Sequence, residues 1–322
     1  MKRFLAAAAG IALTLQVVGC SAGGAAAPAE AGGVDVVKVG VIPTTDTATV
    51  YIAQDEGFFA DEGLKVETQV IQNAASIVPS VLNGQLDVGT AATPPFLTAG
   101  EKGLPLKAIA SGADVPTEAA EDPSGIIVAA GSDIKTPKDL EGKTVAVNAL
   151  SAMLELVAKE AVSKDGGDPR RVTFVALPFP EMISALKRGD VDAASIVEPF
   201  FSAGLADGAT PIARPYTATF KPGGTYVVYF SSDKLIAGDS DKLAKFTRAV
   251  DKASELAAAN PEKVRDVMVK YGKMSPEVAK KMHLPAYSPG IDVDAIQKTV
   301  SVMEDQGFLK EGTVDANKVV HQ

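Results

Sequence analysis

Lys38-Val39-Gly40-Val41-Ile42 returns as Lys143-Thr144-Val145-Ala146-Val147, and Gly84-Gln85-Leu86-Asp87-Val88 returns as Gly189-Asp190-Val191-Asp192-Ala193. Both echoes are displaced by 105 residues. In each series an apolar run leads through helical segments into a Gly-x-x-Asp turn and a short strand. Working outward from the first echo, 36–42 reads as a buried strand, 47–56 as a helix and 64–71 as a second strand. A helix over 76–83 stopped by Gly84, a strand over 87–90, a helix over 94–102 and a strand over 106–110 follow. Such alternation predicts an α/β fold with parallel sheets flanked by helices. The shared offset across separate elements predicts two similarly built lobes.

Two long β-type runs, Gly125-Ile126-Ile127-Val128-Ala129-Ala130 and Thr225-Tyr226-Val227-Val228-Tyr229-Phe230, bracket the second series. Beyond them the chain turns helical, with Asn260-Pro261-Glu262 and Ser275-Pro276-Glu277 both reading as an N-cap followed by proline at the first helical position. The economical topology has 34–128 plus 228–322 as lobe one and 129–227 as lobe two. Each lobe is then a mostly parallel sheet flanked by helices, and the two β-type runs are hinge-forming crossing strands. A cleft lined by strand ends and helix starts is a small-molecule site.

The chain opens with Lys2 and Arg3, an apolar run over 4–18, and Val17-Val18-Gly19 leading into Cys20, the sole cysteine. This layout predicts a signal peptide over 1–19, too short to span a bilayer, which takes roughly 20 residues. An aliphatic–small–Gly–Cys ending resembles the bacterial lipobox, which implies lipidation at Cys20 and anchoring on the extracytoplasmic face of the cell membrane. Residues 21–33 contain only Ser, Ala, Gly, Pro and Glu, so 20–33 reads as a lipidated flexible tether.

Charge and residue usage exclude several classes. Net charge is −9, or −11 once Lys2 and Arg3 leave with the signal, and no Lys/Arg cluster occurs, which argues against nucleic acid. His283 and His321 stand apart, no HExxH or CxxC spacing exists, and no Gly-rich stretch forms a P-loop. No catalytic residue, metal site or cofactor is therefore expected. His283 reads as a structural residue at a helix end.

A resemblance now becomes specific. Ala53-Gln54-Asp55-Glu56-Gly57-Phe58-Phe59-Ala60-Asp61-Glu62-Gly63-Leu64 is similar to the A-x-x-x-G-F-F-x-x-E-G-L segment of the solute-binding proteins that serve nitrate, sulfonate, taurine, bicarbonate and thiamine-pyrimidine-precursor ABC importers. Leu82-Asn83-Gly84-Gln85-Leu86-Asp87-Val88-Gly89, Pro137-Lys138-Asp139-Leu140-Glu141-Gly142-Lys143 and Leu177-Pro178-Phe179-Pro180-Glu181-Met182 match further family segments. Gly189-Asp190-Val191-Asp192-Ala193-Ala194 followed by Glu198-Pro199-Phe200 completes the set. The matches run in family order over nearly all of 36–310. They imply the two-lobed type II periplasmic-binding-protein fold, a small-molecule ligand, and an ABC permease with its ATPase as partners.

Loops that leave strand C-termini face such a cleft, and they supply the candidate ligand contacts. These are Thr44, Thr45 and Asp46 after the first strand, and Ala92 with Thr93 before Pro94. Lobe two offers Asn148, Ser151 and Glu198. Helix N-terminal N–H groups there would suit an anionic group without arginine. Asp87 and Asp192 read as turn residues. With no Trp in the chain, Tyr51, Phe96 and Phe179 are the aromatic candidates. Asp46 and Glu198 fit an organic anionic or zwitterionic ligand with donor groups better than bare nitrate. Two alternatives stand beside transport: a lipid-anchored sensor, and an enzyme of the thiamine-pyrimidine synthase type. The latter resembles these binders but uses a histidine and a cysteine-rich iron site that this chain lacks.

Overall fold

The computed structural model describes residues 35–71 and 73–321, so the signal peptide, Cys20 and the tether lie outside the described residues. In chain order the strands are β1 (Asp35–Val41), β2 (Leu64–Val70), β3 (Val88–Ala92), β4 (Leu106–Asp114) and β5 (Ser124–Val128). They continue as β6 (Thr144–Val147), β7 (Thr173–Ala176), β8 (Ala193–Val197), β9 (Thr210–Ala213) and β10 (Thr225–Ser232). One sheet has the order β2-β1-β3-β10-β4 and the other β7-β6-β8-β5-β9. The two are built to the same plan, as the echo requires.

The echo reaches individual bonds. Asp87 accepts from the Lys38 backbone N–H at 2.8 Å and returns its own N–H to the Lys38 carbonyl at 2.9 Å. Asp192 makes the same two bonds with Thr144, at 2.8 and 2.9 Å. Gly84 and Gly189, both at φ 76°, end the preceding helices in a left-handed conformation that favours glycine. Both aspartates are turn residues, as read from the sequence.

Strand direction follows the expectation with one reversed strand in each sheet. β1 pairs in parallel with β2 and β3, and β6 with β7 and β8, whereas β10 runs antiparallel to β3 and β4, and β5 antiparallel to β8 and β9. Each sheet is mostly parallel, as expected: four of its five strands run one way, and β10 in one sheet and β5 in the other run against them. The cause is connectivity: β5 and β10 each enter their sheet from the other lobe, so no helical crossover forces them to run parallel to a neighbour. The two runs expected to cross between lobes instead pair within a sheet each, β5 with β8 and β9 and β10 with β3 and β4. The chain crosses just before them, over 115–123 and 214–224, which moves the expected divisions at 128 and 227 to those segments. Asp122 ties the two crossings together. Its carboxylate accepts from the Ser124 N–H and hydroxyl and from the Thr217 N–H and hydroxyl, at 2.5–2.9 Å.

Burial follows the sheets. Val37, Val39 and Val41 bury one face of β1 while Val36 and Lys38 are exposed, and Tyr226 to Phe230 of β10 are buried on both faces. The helix Ser240–Ala259 presents Leu243, Phe246, Val250 and Ala257 as a buried stripe at helical spacing. Phe246 stacks on Phe59 at 5.4 Å between ring centroids. Ile126, Val128, Val145, Val162 and Ala193 form a separate core in the second lobe.

Candidate functional site

Four chain reversals converge between the sheets. The turn after β1 supplies Thr44, Asp46 and Thr47, and the end of β3 supplies Ala91 and Ala92. From the other lobe come 148–154 after β6 and Val197 at the end of β8. Together they enclose a cavity of about 370 Å³. Each contributor sits where a strand's C-terminal end meets a helix start, because that is where a parallel strand delivers its loop. Gly112 on β4 permits the close approach: a Cβ there would lie 3.3 Å from the Asp46 carbonyl and 2.9 Å from Val227.

Apolar side chains make most of the wall, with Ile42, Ile77, Val78, Met153, Leu154 and Phe179 among them. Charge is sparse. Among the described residues Asp46 and Lys102 are the two charged ones in the wall, and Lys102 is exposed. Asp46 is 8 % exposed, and its Oδ1 accepts from the Tyr226 hydroxyl at 2.5 Å. Burial pushes its carboxyl up to about 7 against the opposing Tyr226 bond, with the nearby Asp122 charge adding to the rise. Asn148 Oδ1 is buried, and among the described residues it has no hydrogen-bond partner.

The candidate residues divide. Thr44, Asp46, Ala92, Asn148 and Ser151 line the cavity. Ser151 adopts φ 52° and donates its backbone N–H to Glu155, whose carboxylate also accepts from Lys159. The following helix, Met153–Lys164, has Ala152 at its N-cap rather than Asn148 or Ser151. Thr93 is fully buried, its hydroxyl without a partner among the described residues, and it is the first residue of the helix Thr93–Glu101, with Ala92 at the N-cap. It stands behind the wall, because the helix starts one residue earlier than Thr-Pro predicts. Thr45 also turns away, donating its N–H and hydroxyl to the Glu198 carbonyl at 3.3 and 3.4 Å.

Glu198 lies apart from the cavity wall. It is fully buried outside the cavity lining. Its carboxylate accepts from the Ser202 N–H, the Ser202 hydroxyl and the His283 N–H, at 3.0, 2.7 and 3.0 Å. Those bonds make it an internal tie between the start of the helix Phe200–Ala206 and the segment leading to His283. Burial pushes its carboxyl up to about 7. His283 is structural as expected: its Nε2 lies 2.9 Å from Arg214 Nη2, an acceptor role because arginine only donates.

Of the aromatic candidates, Phe179 reaches the cavity and stacks on Phe200 at 5.0 Å. Tyr51 and Phe96 are core residues, stacked on Tyr271 and tilted against Phe230. The sequence reading missed Thr47, Thr90, Thr98 and Tyr216 in the wall. It also missed Tyr226 and Tyr287, whose hydroxyls hold Asp46 and the Thr45 carbonyl. The signal for Tyr226 was its place inside the β-type run next to a crossing.

A ligand-sized cavity between two matched mixed sheets, reached by two chain crossings, defines the periplasmic-binding-protein class of fold. The chain belongs to the NMT1/THI5-like family, whose family model matches residues 44–264. It is 25 % identical over 286 residues to the taurine-binding periplasmic protein of Escherichia coli, covering 88 % of this chain and 84 % of that one. It is likewise 25 % identical over 226 residues to a 4-amino-5-hydroxymethyl-2-methylpyrimidine phosphate synthase of Aspergillus parasiticus, covering 66 % and 64 %. Among solved structures, the alkanesulfonate-binding protein SsuA of Xanthomonas axonopodis pv. citri bound to MOPS superposes with a TM-score of 0.75 at 20 % identity, covering 90 % of this chain and 99 % of that one.

Proposed function

We propose that this protein is the extracytoplasmic solute-binding component of an ABC importer. It holds a small organic solute between its lobes and delivers it to a permease served by an ATPase. The observation that carries this reading is the cavity, whose wall is drawn from both lobes, so that a solute's binding energy is coupled to how the lobes sit together. The taurine- and alkanesulfonate-binding relatives support it. Against the synthase alternative, a chain with one cysteine and two histidines has no counterpart of a cysteine-rich iron site, and we read it as a binder and not an enzyme.

A solute that binds only the native form adds RT ln(1 + [L]/Kd), roughly 2.7 kcal/mol at a hundredfold excess over Kd. A thermal-shift screen across sulfonates, aromatic acids, pyrimidines, amines and amino acids should therefore single out one chemical class that raises the melting temperature. Turnover of a hit, in place of reversible binding, would contradict this reading.

The membrane anchor is part of the same proposal and rests on Cys20. Replacing Cys20→Ala should shift the protein from the membrane fraction to the soluble fraction, or leave an unprocessed precursor. Normal processing with unchanged membrane retention would refute lipidation at this residue.

A further inference from the structure

The lobes also meet at a second place, outside the cavity. On the helix Met153–Lys164 of lobe two, the Lys159 ammonium lies 5.5 Å from the ring centroid of Phe174, in its own lobe, and 4.9 Å from that of Phe308, in lobe one. The next residue, Glu160, accepts from the side-chain amide of Gln306, again in lobe one. Around this contact the lobes stand apart. A polar gap of about 650 Å³, lined by Glu141, Asp168 and Arg170 on one side and Asp305 on the other, borders Lys159 and Gln306. The joint is therefore made by individual side chains across a gap, and it can part without opening either lobe's core.

Lys159 also reaches back to the cavity. Its ammonium pairs with Glu155 one turn earlier, and the other oxygen of that carboxylate accepts from the Ser151 backbone N–H at 2.8 Å. Ser151 lines the cavity at φ 52°, a left-handed setting that costs a serine energy and persists where its surroundings hold it. Glu155 is 7 % exposed, so water and salt screen this pair less than one on the open surface. A continuous series of contacts thus runs from the cavity wall to lobe one through Ser151, Glu155, Lys159 and Phe308.

We propose that Lys159 is a positioning residue for solute capture: held between Glu155 and the Phe308 ring, it joins closure of the lobes to the conformation of the cavity loop at 148–152. The role rests on the solute-binding reading given above. With the lobes together, Phe308 fixes the ammonium, the ammonium fixes Glu155, and Ser151 stays in its left-handed turn. With the lobes apart, Lys159 loses one ring of its site and the loop loosens. Solute affinity then depends on Phe308 and Gln306, neither of which lines the cavity, because a solute that needs the closed form is weakened in proportion to that form's population.

Amide hydrogen exchange of the unliganded protein tests this, and since no solute is added the latch and solute capture fail separately. Phe308→Leu keeps an apolar side chain and removes the ring face. It should speed exchange over 151–157 about threefold or more, within the span of one partly desolvated cation–π contact. Phe308→Tyr, which keeps the ring, should exchange at the parent rate. In Lys159→Met, adding Phe308→Leu should bring no further acceleration there. The lobe-one helix Ser240–Ala259 should exchange at the parent rate in every variant. An unchanged rate over 151–157 in Phe308→Leu, an equal acceleration in Phe308→Tyr, or additive effects of the two substitutions overturns the latch. Faster exchange in Ser240–Ala259 as well would make Phe308 an ordinary core residue and overturns it too.

Discussion

Replacing Glu198 with alanine should cost about 3–5 kcal/mol of folding free energy, because three donors that now meet its carboxylate would stay buried and unpaired at roughly 1–3 kcal/mol each. The donors are the Ser202 N–H and hydroxyl and the His283 N–H. Glu198 itself is 0 % exposed, so its carboxylate makes these bonds away from solvent. In a chain of this size the loss corresponds to a melting temperature lower by about 10 °C. Glu198→Gln, which keeps one acceptor oxygen, should lose much less. Solute affinity of the folded Glu198→Ala fraction should stay near that of the parent, because Glu198 does not line the cavity. Differential scanning calorimetry with a titration on the same samples checks both halves. A variant that melts normally and binds weakly would put Glu198 in the ligand site after all.

Stability of the unliganded protein should fall as pH rises from 5 to 8, the opposite of ordinary acid lability. Asp46 and Glu198 are held at about 7, above the usual values of 3.8 and 4.5, and burial is the largest cause for each. A carboxyl whose pKa is higher in the folded state takes up its proton more readily there. Its contribution is complete below the unfolded pKa and is lost as pH climbs through about 7. Each group changes stability by at most about 1.4 kcal/mol per pH unit over that window, so the pair accounts for several kcal/mol. Below pH 5 ion-paired carboxylates such as Glu62 and Asp241, lowered by bonds to Arg248 and Lys245, act in the opposite sense. Chemical denaturation at pH 5, 6, 7 and 8 should trace the decline, and the double variant Asp46→Asn with Glu198→Gln should flatten it. A parent protein equally stable, or more stable, at pH 8 would mean that neither carboxyl is held protonated.

Much of this was legible because it depends on local pattern. The echo at 38 and 143, and at 84 and 189, carries strand, helix stop and turn in residues that do the same work wherever they stand. Asp87 and Asp192 accordingly make identical bonds to their first strands. What did not read through is what distant segments decide. A β-rich run such as 125–130 encodes burial but not its neighbour or direction, and those follow from where the chain crosses. Asp46 and Glu198 look alike in sequence, each a carboxylate just past a strand. Their difference lies in partners 180 and 85 residues away, Tyr226 and His283. Thr93 was displaced from the wall by a single residue of helix register, which Thr-Pro-Pro leaves open because proline is tolerated in the first helical turn, where N–H groups lack intrahelical partners.

A crystal structure grown with the solute that most raises the melting temperature tests capture between the lobes most directly. The account predicts that solute in the cavity, touching Thr44 or Asp46 from one lobe and Asn148 or Ser151 from the other. A solute seated elsewhere on the molecule, or touching residues of one lobe alone, would contradict it.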